Sequence, residues 1–252
     1  MPLIVEKKPE VLITEDGIRT DGRGPLDLRP VKIQVGLLSR ADGSAYLEWG
    51  GNRVLAAVFG PREVHPKHMT LPDRALLRCR YNMAPFSTPE RKRPGPDRRS
   101  VELSKVIREA LLPSIFLERY PGTAIDVFVE ILRSDAGTRV AGVTAASLAL
   151  ADAGIEMRGL VTAVAVGRVG DWVVVDPNHD EDQWGDADIP VAFLMEEKEI
   201  TLLQLDGPMT QEQFDKALEL ASQAADLIYE VQKEALRRPY EAVRLEILRR
   251  GE

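Results

Sequence analysis

Two stretches of the chain contain residue types that could bind a phosphate group and act on it. The first is SDAGTRVAG, residues 134–142, with candidate ligands Ser134, Gly137, Thr138 and Arg139. A glycine lets an anion approach the backbone, a hydroxyl donates a hydrogen bond, and a guanidinium supplies positive charge. No nucleotide-binding loop of the G-x-x-x-x-G-K-[ST] type occurs in the sequence. The stretch indicates a tetrahedral-anion site, and the alternative is a capped helix whose arginine makes a surface ion pair.

The second stretch is DPNHDEDQWGDAD, residues 176–188, which is rich in Asp and Glu and contains no Lys or Arg. Asp182 and Asp188 lie on either side of Gly185, which permits a sharp bend. Converging carboxylates bind Mg²⁺ or Mn²⁺, and one of a pair can instead stay protonated as a general acid. The alternative is a solvated acidic loop. Trp184, in the same stretch, is a candidate for stacking on a nucleobase.

The elements around these two stretches determine whether their side chains can meet. Residues 123–133 are apolar and β-branched, which predicts a strand, and the small apolar residues after the first stretch predict a closely packed helix that ends at Gly154. Ser134 or Asp135 would cap that helix. The acidic stretch is predicted to be a loop anchored between two strands, because VVVD precedes it and IPVAFLM follows it.

The rest of the chain predicts an α+β domain. Strands are predicted at residues 31–38, 45–50, 53–60, 76–86, 160–168, 172–176, 189–195 and 199–205, and helices at 100–116 and 210–238. Ser100 is the predicted cap of the first of these helices, and its apolar positions are Val101, Leu103, Ile107 and Leu111. A second helical piece is predicted after Pro239. Residues 87–97, with three prolines, are predicted to form a mobile loop.

No fixed-period repeat or linker divides the sequence. We therefore predict one domain over residues 1–252, with an N-terminal arm at 1–20 and a C-terminal helical tail at 239–252. The hydrophobic content of 44% is enough for a core of this size. The single cysteine, Cys79, excludes a disulfide framework and favours a reducing compartment. No signal pattern or membrane-length apolar segment occurs, so we expect a cytoplasmic protein with no membrane contact.

The charge distribution is uneven along the chain. The net charge is −7, which is unlike that of a typical nucleic-acid-binding protein. Residues 62–108, however, contain twelve basic and five acidic side chains. A local basic surface attracts polyanions whatever the total charge, although a solvated basic loop would show the same pattern. The segment His65-Pro66-Lys67-His68 lacks a further metal ligand and is interpreted as part of a surface loop.

Five motifs in order resemble those of RNase PH-like phosphorolytic 3′–5′ exoribonucleases. They are DGR followed by LRP (residues 21–30), RYNMAPFS, RRSVELSKVIREAL, SDAGTRVAGVTAASLALADAG and DPNHDEDQWGDADIPV. The resemblance covers roughly residues 15–235 and is closest to the catalytic subunits of archaeal exosomes. It implies an RNase PH-like fold of the ribosomal protein S5 domain 2-like type, with a mixed sheet packed against helices.

The resemblance also implies a reaction and roles for residues. Inorganic phosphate would attack the last phosphodiester of single-stranded RNA and release a nucleoside 5′-diphosphate, reversibly. Ser134, Gly137, Thr138 and Arg139 would bind the phosphate, and Arg98 and Arg99 would bind RNA phosphates. Asp182 and Asp188 match the family's acid pair, for catalysis or for binding Mg²⁺ or Mn²⁺.

Two departures from the family pattern bear on these roles. Ala136 stands where related enzymes often have glycine, and an alanine still permits close approach of an anion. Pro190 stands where polynucleotide phosphorylases have a metal-binding lysine, so the metal site would be weaker or built differently.

The implied assembly is a six-membered ring of three such chains and three copies of an inactive paralogue, with RNA-binding cap subunits on one face. Three alternatives remain open at this point. A homomeric RNase PH would trim tRNA 3′ ends, and a non-catalytic ring subunit of the same fold would bind RNA only. An unrelated metal-dependent hydrolase would use the acidic stretch without needing phosphate.

Overall fold

The computed structural model describes residues 9–250, with the backbone alone for residue 240 and residues 242–250. The strands are β1 (Val31–Val35), β2 (Gly43–Trp49), β3 (Asn52–Glu63), β4 (Leu76–Met83), β5 (Thr123–Arg133), β6 (Val161–Val169), β7 (Trp172–Val175), β8 (Ala187–Leu194) and β9 (Glu199–Leu203). The α-helices are α1 (Arg98–Leu111), α2 (Thr138–Asp152), α3 (His179–Trp184) and α4 (Gln211–Arg250).

The strands form two sheets. The first sheet has the order β1-β2-β3-β5-β4. It is mixed, because β4 runs parallel to β5 while all other neighbouring strands in this sheet are antiparallel. The second has the order β7-β6-β8-β9 and is antiparallel throughout. A tight turn joins β2 to β3, since Trp49 pairs with Asn52 across Gly50 and Gly51.

Helix α2 lies between the sheets and contacts strands of both. Its residues from Val140 to Leu150 are all buried, which explains why the sequence is small and apolar on every side of the helix. Gly43 permits the close approach of α2 to β2, because a Cβ atom there would lie 2.2 Å from the backbone nitrogen of Ala153. A single cluster of buried hydrophobic residues spans both sheets. This continuity supports the predicted single domain, which stays a prediction.

Helix α4 packs against the second sheet and also contacts β1 of the first sheet. The buried Gln232 side chain fixes it there, bonding to the Thr162 hydroxyl and to the carbonyl oxygen of Val161. The predicted break at Pro239 is wrong, because α4 continues through it to Arg250. Proline removes one intrahelical hydrogen bond, but its fixed φ is compatible with a helix. No helix of the described residues is long and apolar enough to cross a membrane.

Helix α1 begins earlier than predicted, and Ser100 is not its cap. Asp97 caps it, with its carboxylate accepting from the Ser100 backbone at 2.7 Å and the Ser100 hydroxyl accepting from the Asp97 backbone at 2.8 Å. Leu103, Ile107 and Leu111 are buried as predicted, but Val101 is 63% exposed. Residues two positions apart in a helix are separated by about 200° around its axis, so Val101 lies on the side opposite Leu103. Residues 88–97 contain no helix or strand, as predicted.

Candidate active site

The junction between β5 and α2 presents the start of α2 to a cavity. Ala136 and Gly137 both have left-handed backbone conformations, with φ of 51° and 67°, which turn the chain sharply into the helix. The predicted capping by Ser134 or Asp135 is wrong, because Gly137 is the cap residue and no side chain caps the helix. The first N–H groups of a helix have no partner within it, so those of α2 face outward for a ligand.

Asp135 binds elsewhere, which explains why it does not cap α2. Its carboxylate accepts from the backbone nitrogen of Gly51 at 2.9 Å. The buried Asn52 side chain holds the same junction, donating to the carbonyl oxygens of Asp135 and Ala136 and accepting from the Asp135 nitrogen at 2.7 Å. The β2–β3 turn therefore fixes the backbone that precedes α2. Asn52 had no assigned role in the sequence analysis, since its partners are distant in the chain.

The acidic stretch is not the predicted loop, because residues 179–184 form the short helix α3. Asn178 and Glu181 form a capping box at its start, with the Asn178 side chain accepting from the Glu181 backbone at 3.0 Å. Glu181 is also paired with Arg19, and both side chains are fully buried. Asp182 follows Glu181 directly in the chain. The ion pair and the capping box together fix the direction in which Asp182 projects.

A second buried ion pair joins Arg29 to Asp176, just before α3. The Asp176 carboxylate accepts from the Arg29 backbone nitrogen at 2.8 Å, from its Nη2 at 2.7 Å and from the indole nitrogen of Trp49 at 3.0 Å. Arg29 also donates to the carbonyl oxygen of Asp135 in the β5–α2 junction. Arg29 thus connects the two stretches that the sequence singled out. Arg19, near the end of the predicted N-terminal arm, is anchored by Glu181.

A cavity of about 160 Å³ lies where the two stretches meet, and we call it the catalytic cavity. Its lining residues are Arg99, Ser134, Ala136, Gly137, Thr138, Arg139, Val140, Ala165, His179, Asp182, Asp188 and Pro190. It therefore contains every predicted site residue except Arg98. Arg98 is exposed at the first turn of α1 and is not part of the lining.

The two predicted acids occupy an unusual electrostatic environment. Burial raises the pKa of Asp188 to about 7, with a further contribution from the negative charge of Asp182. Burial also raises the pKa of Asp182, against the opposing effect of Arg99 and other nearby cations. One carboxylate oxygen of Asp188, Oδ1, and the Nε of Arg139 are buried without a hydrogen-bond partner among the described residues. Such unsatisfied groups in a cavity indicate a site that is completed by a ligand.

Tyr81 supports the cavity from the β4 side, and its role was not foreseen from the sequence. Its side chain is 2% exposed, and its hydroxyl donates to Oγ1 of Thr138 at 2.9 Å. Burial raises the pKa of Tyr81, while the hydrogen bond to Thr138 and the charge of Arg99 oppose the shift. Because the hydroxyl of Thr138 accepts this bond, its own proton is free to point towards a ligand.

His65, Cys79 and Trp49 do not line the catalytic cavity. His65 and Lys67 lie in an exposed segment, and among residues 9–250 no cluster of three or more His, Cys, Asp or Glu side chains could hold a metal ion. Cys79 packs against the core, and burial raises the pKa of its thiol to about 12, so it is not a reactive thiolate. Trp49 is fully buried in the core.

Comparison with known proteins defines the family. Models of the 3′ exoribonuclease family, RNase PH, match residues 27–156 with domain 1 and residues 159–224 with domain 2. The chain therefore belongs to the 3′ exoribonuclease family, as the sequence motifs predicted.

Relatives and solved structures agree with this assignment. The chain is 60% identical to the exosome complex component Rrp41 of Methanopyrus kandleri, over 94% of this chain and 99% of that protein. It is 58% identical to Rrp41 of Pyrococcus furiosus, over 95% of this chain and 97% of that protein. Its fold matches rice Rrp46 with a TM-score of 0.79 at 25% identity, covering 87% of this chain and 100% of that one. The fold also matches a chain in the structure of the Archaeoglobus fulgidus exosome with RNA bound to the active site. The TM-score is 0.75 at 25% identity, and the match covers 85% of this chain and 92% of that one. The predicted RNase PH-like α+β fold is confirmed.

The raised pKa of Asp188 predicts how its replacement affects stability. Folding moves this pKa from near 4 to about 7, so the ionised carboxylate disfavours the folded state and stability falls as the pH rises between these values. Asp188→Asn removes the ionisation, so its gain in melting temperature should be small at about pH 4 and largest at about pH 8. Thermal unfolding in EDTA measures this gain, with Asp171→Asn as the control at an exposed turn. A gain that is independent of pH would contradict the prediction.

Proposed function

We propose that the protein is the catalytic subunit of an archaeal exosome ring and degrades RNA from the 3′ end by phosphorolysis. The observation that supports this most directly is the meeting of Thr138, Arg139, Arg99, Asp182 and Asp188 in one cavity. An anion cradle and an acid pair are the two parts that a non-catalytic ring subunit would not need. Over most of its length the chain is also similar to proteins named as exosome components.

In the proposed reaction, phosphate binds at the start of α2. The outward N–H groups near Gly137 and Thr138 donate to its oxygens, the hydroxyls of Thr138 and Ser134 add hydrogen bonds, and Arg139 balances its charge. Phosphate needs no base to attack, so the site has only to hold and orient it. Arg99, which also lines the cavity, would bind the phosphodiester that is attacked.

The acid pair would assist the departure of the RNA chain. As an oxygen of phosphate bonds to the phosphorus atom, the bond from phosphorus to the 3′ oxygen of the preceding nucleotide breaks, and that oxygen gains negative charge. Asp188, whose pKa is raised by burial to about 7, is partly protonated at neutral pH and could transfer a proton to it. Asp182, whose pKa burial also raises, is the other candidate for this role. The products are a nucleoside 5′-diphosphate and an RNA one nucleotide shorter. The reverse reaction would add a nucleotide to the 3′ end.

The same residues fit a divalent cation. Asp182 and Asp188 repel each other electrostatically, and one oxygen of Asp188 has no partner. Mg²⁺ is commonly held by one or two carboxylates together with waters and substrate phosphates, so a third protein ligand is not required. Asp182 and Asp188 would hold Mg²⁺ or Mn²⁺, and the ion would stabilise the negative charge on the leaving oxygen.

The partners follow from the relatives by analogy. We propose a hexameric ring of three copies of this chain and three of an inactive paralogue, with RNA-binding cap subunits and single-stranded RNA as substrate. The expected compartment is the cytoplasm, because the sole cysteine suits a reducing environment. A homomeric RNase PH acting on tRNA 3′ ends is the alternative, and gel filtration with and without the paralogue distinguishes the two assemblies.

The direct test is degradation of 5′-labelled RNA by the assembled complex, with and without phosphate. We expect shortening only with phosphate, and nucleoside 5′-diphosphates as products. Asp182→Asn preserves the shape of the side chain and removes its charge and its acidity, so turnover should fall by about a hundredfold or more in both directions. RNA binding and ring assembly serve as controls and should not change. Hydrolysis to monophosphates without phosphate would contradict the proposal.

Arg98 and Arg99 form a matched pair, because they are adjacent but only Arg99 lines the catalytic cavity. Replacing either with Ala should weaken RNA binding and reduce the salt dependence by a slope of about one for each lost phosphate contact. Only Arg99→Ala should also slow turnover at saturating RNA, since only Arg99 can contact the bond that breaks. Equal turnover in the two variants would mean that Arg99 does not act at the cleaved bond.

Tyr81→Phe tests whether the Tyr81 hydroxyl orients Thr138. The substitution preserves the buried ring and removes the bond to Thr138, so the KM for phosphate should rise about three- to tenfold, the usual effect of one lost hydrogen bond. Tyr120→Phe is the control, because that hydroxyl accepts from the Glu156 backbone, outside the cavity lining. If the two variants show the same KM for phosphate, Tyr81 has only a packing role.

A further inference from the structure

A second, larger cavity opens beside the catalytic cavity. It measures about 540 Å³ and lies between residues 88–92 on one side and α3 on the other, and we call it the loop–helix cavity. Its lining residues are Thr88, Pro89, Glu90, Arg91, Lys92, His179, Gln183 and Trp184. His179 lines both cavities, so they are adjacent.

The catalytic cavity is too small for a whole nucleotide, so part of the RNA end needs a second cavity beside it. Cavities that bind molecules of nucleotide size have volumes of about 300–1,000 Å³. The catalytic cavity, at about 160 Å³, can contain a phosphate and the bond under attack but not a whole nucleotide. At least one nucleobase near the cleaved bond must therefore lie outside it. The loop–helix cavity is within the required range and shares His179 with the catalytic cavity.

The chemistry of the loop–helix cavity suits a nucleobase. Trp184 is partly exposed, and indole rings stack on any base because every base has a π face. Arg91 and Lys92, on the facing wall, supply positive charge for the flanking phosphates. Trp184 and Asp182 belong to the same short helix, so a base stacked on Trp184 would lie at a fixed distance from the proposed catalytic acid.

Both walls of the loop–helix cavity are anchored. Helix α3 is held by the buried pair of Glu181 with Arg19. On the other side, the Lys92 backbone nitrogen donates to the carbonyl oxygen of Pro85 at 3.0 Å, and its ammonium group lies 3.5 Å from the carboxylate of Asp97. An anchored cavity can order a flexible RNA end without a large rearrangement of the protein.

We propose that the loop–helix cavity is a subsite for a nucleobase of the RNA 3′ end, in which Trp184 stacks on the base without selecting its identity. This inference rests on the proposed function. It adds a binding element that serves base stacking rather than phosphate recognition. It also explains the position of a tryptophan in a stretch that is otherwise acidic and polar.

Replacement of Trp184 in the assembled complex tests the subsite. Trp184→Ala should raise the KM for RNA about tenfold with kcat within about twofold, because stacking binds ground state and transition state alike. Trp184→Phe retains an aromatic face and should recover most of the affinity. Trp172→Ala is the matched control, since Trp172 is a partly exposed tryptophan at the start of β7 and lines neither cavity.

RNAs with one abasic nucleotide locate the base. With the abasic site moved through the last four positions of the 3′ end, the effect of Trp184→Ala should disappear at one position and persist at the others. An effect of equal size at every position would overturn the proposal. Loss of ring assembly in Trp184→Ala would also overturn it, because the cavity would then be a protein interface.

Fluorescence separates this inference from the proposed function. RNA binding should quench tryptophan emission in the wild-type complex, and this quenching should be lost in Trp184→Phe, since phenylalanine contributes no indole emission. The measurement needs no catalysis. Quenching that depends on Trp184 would support the subsite even if phosphate proved to be dispensable for degradation. Equal quenching in the two complexes would contradict the subsite even if phosphorolysis were confirmed.

Discussion

Two buried arginine–carboxylate pairs, Arg29 with Asp176 and Arg19 with Glu181, determine how the rest of the site is arranged. Removing a charge from water costs several kcal/mol unless its hydrogen bonds are replaced. Asp176 meets this condition with donors from Arg29 and from the indole of Trp49. Each pair joins the N-terminal segment to the region just before or within α3. Loss of one partner would leave a buried charge unpaired, so this segment is a structural part of the active site rather than an appendage.

In the catalytic cavity, by contrast, two charged side chains have buried atoms without a hydrogen-bond partner among the described residues. Asp188 has a pKa near neutrality and an unpartnered oxygen, and the Nε of Arg139 is also without a partner. Groups of this kind lower the stability of a folded protein and are retained where a ligand completes them. The two buried pairs beside the cavity instead have their hydrogen bonds satisfied. They also hold the β5–α2 junction and α3, which carries the candidate acid Asp182, in place.

The scaffold accounts for how parts that are distant in sequence meet. Helix α2 is buried between two sheets, so its first turn has a fixed position, and the β2–β3 turn holds the preceding junction through Asn52 and Gly51. The edge of the second sheet supplies Asp188, and α3 supplies Asp182. In the proposed complex with RNA, the adjacent loop–helix cavity would hold the part of the RNA that the smaller catalytic cavity cannot contain.

The sequence alone predicted the strand Thr123–Arg133, the buried helix after it and eight candidate site residues, of which seven line the cavity. Hydrophobic periodicity and short motifs made this possible because they are local properties. Tertiary structure decided that Arg99 lines the cavity and Arg98 does not, and that Asp97 caps α1. It also decided that residues 179–184 form a helix and that no side chain caps α2. Asp135 illustrates the reason. By local rules it should cap α2, but its carboxylate instead accepts from the backbone nitrogen of Gly51 and pairs with Arg29, which lie in distant parts of the chain. The roles of Arg19, Asn52 and Tyr81 likewise depend on partners that lie far from them in the sequence.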